Sequence, residues 1–311
     1  MNDTRIRFRH IVGFLEIVRC GNVGRAADAL NIAQPALSRT MNELEAIVGA
    51  KLLQRGRRGS RLTGAGETFF RFAAPGVAQI RQAYDMTAPG MSRRETIIVG
   101  SLPEAVALLP AALTEMRQRA PETTLRVLHG TNADHLMHLR HGDLSMVIGR
   151  IAAADLLVGL AFEHLHSEAV CCVVRRGHPL DTAQAISPAD LKSHRLVLHQ
   201  PDTVVRSEVD RFLFAQGVSE LGDHVETDSM ELARRLTLDD DRIWIAPMGA
   251  VSRDIADGQL APVTVKNWQI TASVGVTTNP TRTLTRGEEI LIATLRDVSK
   301  AMVRNEIERA E

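Results

Sequence analysis

Gln34, Ser38 and Asn42 stand four residues apart with Arg39 beside them, so on a helix their amide, hydroxyl and guanidinium groups share one side. That set can read DNA: glutamine matches the edge of adenine, and arginine that of guanine. A little further on, Arg55, Arg57, Arg58 and Arg61 crowd a glycine-punctuated stretch, where positive charge suits phosphates or a minor groove. The plain alternative is a solvated arginine face. Against it stands the distribution of charge. Lys plus Arg and Asp plus Glu both total 37, yet residues 1–90 hold 13 basic and 7 acidic side chains, leaving that segment at +6 and the remainder at −6. Such asymmetry points to a polyanion-binding end.

Other chemistries find less support. No Gly-x-Ser-x-Gly elbow, no Gly-x-x-x-x-Gly-Lys phosphate loop and no Gly-x-Gly-x-x-Gly after a strand occurs, which argues against a hydrolase or a dehydrogenase. His135, His138 and His141 raise a metal-responsive alternative. Steps of three residues rotate around a helix, however, and neither a cysteine nor a carboxylate completes a ligand set with them, so no metal and no cofactor is expected. Cys20, Cys171 and Cys172 are odd in number, and the adjacent pair lies in an apolar run. Reduced structural thiols are the expectation, since a redox sensor needs an exposed thiolate with a resolving cysteine nearby. Neither a signal peptide nor a run of about 18 apolar residues is present, so a cytoplasmic protein with no membrane partner is expected.

The elements that must position the polar groups follow from periodicity. Phe8, Ile11, Val12, Leu15 and Val18 predict a first helix ending at Gly21 and Asn22, and Val23, Ala26, Ala27 and Leu30 predict a second. Asn31 and Ile32 make the turn. A third helix, about Gln34 to Val48, carries Leu37, Met41 and Leu44 on one face and the base-reading set on another. After the arginine-rich hairpin, Thr63 caps a long helix in which Phe70, Ala73, Val77, Ile80 and Tyr84 form a coiled-coil spacing, with a kink expected at Pro75-Gly76. A polar hinge follows from Pro89 to Arg94.

Beyond the hinge, strands at Thr96–Gly100, Leu125–His129 and Met146–Gly149 alternate with helices at Leu108–Arg119 and Ala133–His141, an order that demands a parallel sheet. A second set begins near Phe162, with strands Ala169–Val174, Leu196–Leu198 and Ile243–Ala246 and helices Arg206–Gln216 and Met230–Thr237. The chain turns strand-like again from Trp268 to Thr278 and ends in a helix over Arg286–Glu308. The fold class is α/β. Ligands of such sheets bind beyond the carboxyl ends of strands, near helix N-termini, which brings forward Ser101, Leu102, Thr131, Asn132, Arg150 and the loop His199 to Thr203. Ser101 and Thr131 also suit plain helix capping.

Arg25-Ala26-Ala27-Asp28-Ala29-Leu30, Gln34-Pro35-Ala36-Leu37-Ser38-Arg39, Leu44-Glu45, Gly49, Leu52, Arg55 and Leu62-Thr63-x-Ala65-Gly66-Glu67 together resemble the LysR-type transcriptional regulators. Gly177-His178-Pro179-Leu180 and Ile243-Trp244-Ile245-Ala246-Pro247 extend the resemblance over the whole chain. It implies a winged helix-turn-helix over 1–62, a dimerising linker helix over 63–90 and a bilobal, periplasmic-binding-protein-like effector domain over 91–311. Lobe 1 would take about 91–161 and 268–311, and lobe 2 about 162–267. It further implies DNA-binding places at Arg25, Gln34, Pro35, Ser38, Arg39, Asn42, Arg55, Arg57 and Arg58, and effector contacts at Ser101, Thr131 and the Pro201 to Thr203 loop.

The partners implied are a near-palindromic double-stranded operator, a small effector, further copies of the chain in a homodimer or homotetramer, and RNA polymerase if the regulator activates. Ala33 stands where the family places an N-capping serine, and Leu53 where the wing region carries an aromatic residue. Arg5 to His10, Gly149 to Ala152 and Phe162 to Glu168 resemble the branch that activates protocatechuate-degradation operons. From that branch a small organic anion such as a carboxymuconate is the expected effector, with Arg150 as its carboxylate partner. Regulation of sugar uptake or metabolism genes is the alternative.

Overall fold

The computed structural model describes residues 5–56, 59–87, 95–182, 184–201 and 203–310. Two compact units emerge, one of Met1–Arg93 with Met137–Leu144 and Pro280–Thr283, the other of Arg94–Leu136, Ser145–Asn279 and Leu284–Glu311.

The first unit opens with α1 (Phe8–Cys20), α2 (Val23–Ala29) and α3 (Gln34–Val48). Gly21, in the left-handed region, ends α1, and the Asn22 side chain accepts from the backbone N–H groups of Gly24 and Arg25 to start α2. The buried face of α1 differs from the expected stripe. Phe14 and Ile17 form the core with Leu37, Met41 and Leu44, whereas Phe8 is 47% exposed. The reason is the aromatic pair on the long helix: Phe14 meets Phe69 and Phe70 edge-on, and that contact turns the helix away from the Phe8 side.

Strands β1 (Leu53–Gly56) and β2 (Gly59–Leu62) pair antiparallel as a hairpin, with Arg55 opposite Ser60. The Thr63 hydroxyl then accepts from the Gly66 N–H and starts α4 (Gly64–Thr87), as expected. Only glycine fits at 66, because a Cβ there would lie 2.0 Å from the Leu52 carbonyl oxygen. Helix α4 continues through Pro75 and Gly76 without a break. Its coiled-coil spacing divides between two surfaces: Phe70 and Val77 are buried, while Ile80 and Tyr84 are exposed, as is Phe72. The hinge expected at Pro89 to Arg94 lies outside the described residues.

The second unit is built on one mixed sheet. Among the described residues its strand order is β4 (Thr124–His129), β3 (Thr96–Ser101), β5 (Met146–Arg150), β11 (Thr271–Thr278), β6 (Ala161–Arg175), β9 (Ile243–Pro247), β7 (Leu196–Leu198) and β8 (His224–Glu226), with β10 (Leu260–Val263) on β6. Strand β3 is parallel to β4 and β5, and β7 to β8 and β9, as the βαβ order requires. The long β6 pairs with β11 over Ala161–Ala169 and with β9 and β10 over Val170–Arg175. It therefore passes from one lobe to the other near Ala169, not at the expected 161/162.

Two sets of helices cover this sheet. On lobe 1, α5 (Leu109–Arg119) and α10 (Arg286–Ala310) close a core around Ile97, Val99, Ile148, Val276 and Leu295. On lobe 2, α7 (Val204–Ala215) covers one face, around Leu196, Leu198, Val209 and Ile243, and α8 (Met230–Asp239) and α9 (Met248–Ala256) cover the other, around Val197, Trp244 and Val251. A 3-10 turn at Pro103–Ala107 links β3 to α5, and α6 spans Asn132–His141. No described helix is long and apolar enough to cross a membrane.

Candidate nucleic-acid interface and ligand cleft

Helix α3 carries the expected division of labour. Leu37, Met41 and Leu44 are buried against α1 and α2, and Gln34, Pro35, Arg39 and Asn42 are exposed, with Ser38 half-buried among them. The free face can therefore enter a major groove. Ala33 is the N-cap, extended and without a side-chain cap bond, and Pro35 occupies the second helical position, where its missing N–H leaves one orphan donor fewer. Arg25 is exposed on α2, and its guanidinium donates to the Cys20 carbonyl oxygen. Arg55 lies on β1 and Arg61 is exposed on β2. Arg57 and Arg58 lie outside the described residues.

A residue the spacing gave no reason to single out positions this hairpin. Glu45, buried at the C-terminal turn of α3, accepts through one oxygen from the backbone N–H groups of Leu52 (2.9 Å) and Leu53 (3.2 Å), and through the other from Lys51 Nζ (2.6 Å). Burial alone would raise its pKa, yet the Lys51 ammonium and the two N–H groups outweigh it and hold the carboxyl below its ordinary value. The Ser60 N–H donates to the Gly21 carbonyl (2.8 Å), so the hairpin is also fixed to the turn after α1. Together these bonds tie the arginine-bearing hairpin to α3 and to the turn after α1.

In the second unit the carboxyl ends of β3 and β5 converge as expected, but their polar groups already have partners. Ser101 is buried and its hydroxyl donates to the Leu102 carbonyl (3.3 Å). Thr131 accepts from the Asp134 N–H (3.1 Å) and donates to the Asp134 carboxylate (2.9 Å), the capping role weighed against ligand contact. Asn132 Nδ2 donates to the Arg150 carbonyl (3.3 Å). Across the sheet, Pro201 is exposed and Thr203 caps α7 by accepting from the Arg206 N–H (3.3 Å), while Asp202 between them is outside the described residues.

Arg150 departs most from expectation. Instead of standing open to an incoming anion, it is only 2% exposed and carries two carboxylates of its own: Nε donates to Glu104 at 3.1 Å, and Nη1 to Glu208 of α7 in the opposite lobe. The cause is local. Gly149, at φ +145°, lets β5 pass under Leu102, so the arginine emerges beside the turn that carries Glu104. His199 is buried near the same group and lies 3.6 Å from Asp228. Its pKa is lowered, first by burial and further by the Arg150 charge, against the pull of Glu104 and Asp228.

Among the helical histidines, His135 and His141 are buried and His138 bonds Asp143 at 3.2 Å. Cys171 and Cys172 are buried in β6, and burial pushes the Cys171 thiol up to about 12.

Residues 8–67 match the family described as bacterial regulatory helix-turn-helix protein, lysR family, and residues 92–300 match the LysR substrate binding domain. The chain is 38% identical over 280 residues to the transcriptional regulator PcaQ of Agrobacterium fabrum, covering 89% of this chain and 90% of that one. It is 33% identical over 298 residues to the regulator YdcI of Escherichia coli, covering 94% and 95%. A full-length OxyR structure from Pseudomonas aeruginosa superposes with a TM-score of 0.63 at 20% identity, covering 94% and 95%, a likeness of fold.

Proposed function

The chain belongs to the LysR family of bacterial transcriptional regulators, and on that footing we propose that it binds a near-palindromic operator as a homodimer or homotetramer and changes the bend of that DNA when a small organic anion enters the interlobe cleft. It is a DNA-binding regulator and not an enzyme. The observation that carries the reading is the exposed set Gln34, Arg39 and Asn42, with half-buried Ser38 among them, on a helix whose opposite face is core, with a hairpin fixed beside it by Glu45. Base edges would be read by that helix, and phosphates or the minor groove by Arg25, Arg55, Arg57 and Arg58.

Similarity to PcaQ over nearly the whole chain, together with the resemblance to activators of protocatechuate-degradation operons, supports aromatic catabolism as the regulated process and a carboxylated ring-cleavage product as the effector. Exposed Ile80 and Tyr84 on α4 supply apolar surface for pairing of subunits. As an activator it would also meet RNA polymerase. A second reading, a neutral sugar as effector of a regulator of sugar uptake, draws on the two carboxylates that already neutralise Arg150. The test is selection of genomic fragments on purified protein, followed by footprinting with and without muconate, 3-carboxymuconate and galactose. Operators beside aromatic-degradation genes whose footprint alters only with carboxylates uphold the first reading. Operators beside sugar-uptake genes that respond only to galactose replace it with the second.

A further inference from the structure

The two carboxylates on Arg150 are not equivalent. Glu104 belongs to the same lobe, and its side chain is 2% exposed, so it has no path to water. Glu208 reaches across from α7 and its side chain is 19% exposed; rotation about its own bonds can return the carboxylate to solvent, where it is fully hydrated. Glu208 also uses only one edge of the guanidinium. Nη2 of Arg150 is buried and has no hydrogen-bond partner, and the same holds for Oε2 of Glu104 and Nε2 of His199. A planar carboxylate seated across Nη1 and Nη2 makes the paired bonds that arginine favours, and so satisfies a donor that Glu208 leaves unmet. Because Arg150 is closed off from solvent, an incoming anion reaches it only in the place Glu208 now holds.

Charge limits what that anion can be. Glu104, Glu208 and Asp228 face one arginine and a histidine whose charged form burial disfavours. Even with Glu208 withdrawn, Glu104 balances Arg150, and Arg206, whose Nη1 reaches the His199 carbonyl, is itself held by Asp210 and Glu226, so these groups leave no unpaired cation for a second or third ligand carboxylate. The unpaired oxygen of Glu104 instead asks for a hydrogen-bond donor, which a hydroxyl provides and a carboxylate does not.

We propose that effector binding is an exchange of counter-ions: a single ligand carboxylate, on a molecule that also carries hydroxyl donors, displaces Glu208 from Arg150 and thereby breaks an ion pair that joins the two lobes. The proposal rests on the reading of this cleft as the site of an organic anion, and in place of a polycarboxylated ring-cleavage product it points to a hydroxylated monocarboxylate. Lobe 2 is then released from Arg150 in the same step that holds the ligand on lobe 1, which gives the ligand different affinities for the two placements of the lobes.

Calorimetry on the full-length protein and its Glu208→Gln variant, with 3,4-dihydroxybenzoate and with 3-carboxymuconate as probes, tests it. Removal of the competing charge should tighten 3,4-dihydroxybenzoate by at least about tenfold, with the tricarboxylate binding more weakly than the monocarboxylate in both proteins. Glu208→Asp, which draws the carboxylate back by one methylene, should tighten it in the same direction and covers the case in which the glutamine variant does not fold. Equal affinities in wild type and variants would overturn the exchange while leaving the effector cleft intact. Tighter binding of the tricarboxylate would overturn the ligand class. If neither protein binds any carboxylate while galactose binds, both the exchange and the anionic-effector reading fall together.

Discussion

Replacement of Glu45 separates what a buried carboxylate does through its backbone bonds from what it does through its ion pair. Glu45→Ala strands the N–H groups of Leu52 and Leu53, each now bonded to a charged acceptor; at about 1.5–3 kcal/mol per charge-assisted bond the cost is about 3–6 kcal/mol. Glu45→Gln can keep an acceptor oxygen on Leu52 and Leu53 but loses the charge assistance and turns a donor amide toward Lys51 Nζ, for about 2 kcal/mol. Lys51 is 74% exposed on its side chain, so Lys51→Ala should cost no more than about 1 kcal/mol.

The sign with pH follows from the lowered folded pKa of Glu45: its contribution is complete above the ordinary carboxylate value of 4.5 and is lost as pH falls through the depressed folded value. Amide hydrogen exchange on the full-length protein, read over α3 and the hairpin, measures each step. Affinity for random duplex should fall in the same order as the wing loosens. If Lys51→Ala costs as much as Glu45→Ala, the surface ion pair and not the pair of backbone bonds holds the wing, and the reasoning fails.

Three further outcomes can be measured directly. Gln34→Ala should weaken the selected operator while leaving random DNA nearly unchanged, and Arg57→Ala should weaken both and reduce the salt slope by about one phosphate's worth; equal losses for Gln34→Ala on both DNAs would remove its base-reading role. Ala33→Ser should stabilise α3, but by only about 0.5 kcal/mol, the lower end of the capping range, because Pro35 has no N–H and the Ala36 N–H already reaches the Ala33 carbonyl at 2.9 Å; a loss in urea unfolding would show that the hydroxyl does not sit at the cap. Cys171 and Cys172, with thiols held neutral by burial, should resist alkylation at pH 8 until the protein unfolds, and labelling of either in the native state would contradict the closed core around β6.

What the sequence revealed is what repeats within a few residues. Helix α3 has the expected ends, since Pro35 marks its start and Gly49, in the left-handed region, its stop. Strand β7 is also as expected, being a short apolar run between turns. The inner face of α1 was misplaced because Phe8, Ile11, Leu15 and Val18 are spaced as well as Phe14 and Ile17, and only the position of Phe69 and Phe70 decides between them. Strand β8 was missed for lack of signal, having one half-buried valine between two charged or polar neighbours. The carboxylates on Arg150 lie 46 and 58 residues away along the chain, and no periodicity reports a partner at that distance. Arg150 was thus correctly placed at the end of a strand, while its two carboxylate partners were not foreseen.

The route of β6 and β11 has a consequence for the order in which the protein comes into being. All of α1 to α4 and the hairpin between them precede residue 90, so these elements are made early in synthesis. Lobe 1 is completed late. One edge of β5 is completed only by β11, which leaves the ribosome about 120 residues later; at about 5–20 residues per second that is a wait of roughly 6–24 s. During that interval Val147 and Ile148 present an apolar strand edge without its neighbour, the kind of template on which nascent chains associate. Slower growth temperature or a pause within lobe 2 lengthens the exposure. The yield of soluble protein should therefore respond more sharply to chaperone supply and translation speed than the stability of the finished fold would suggest.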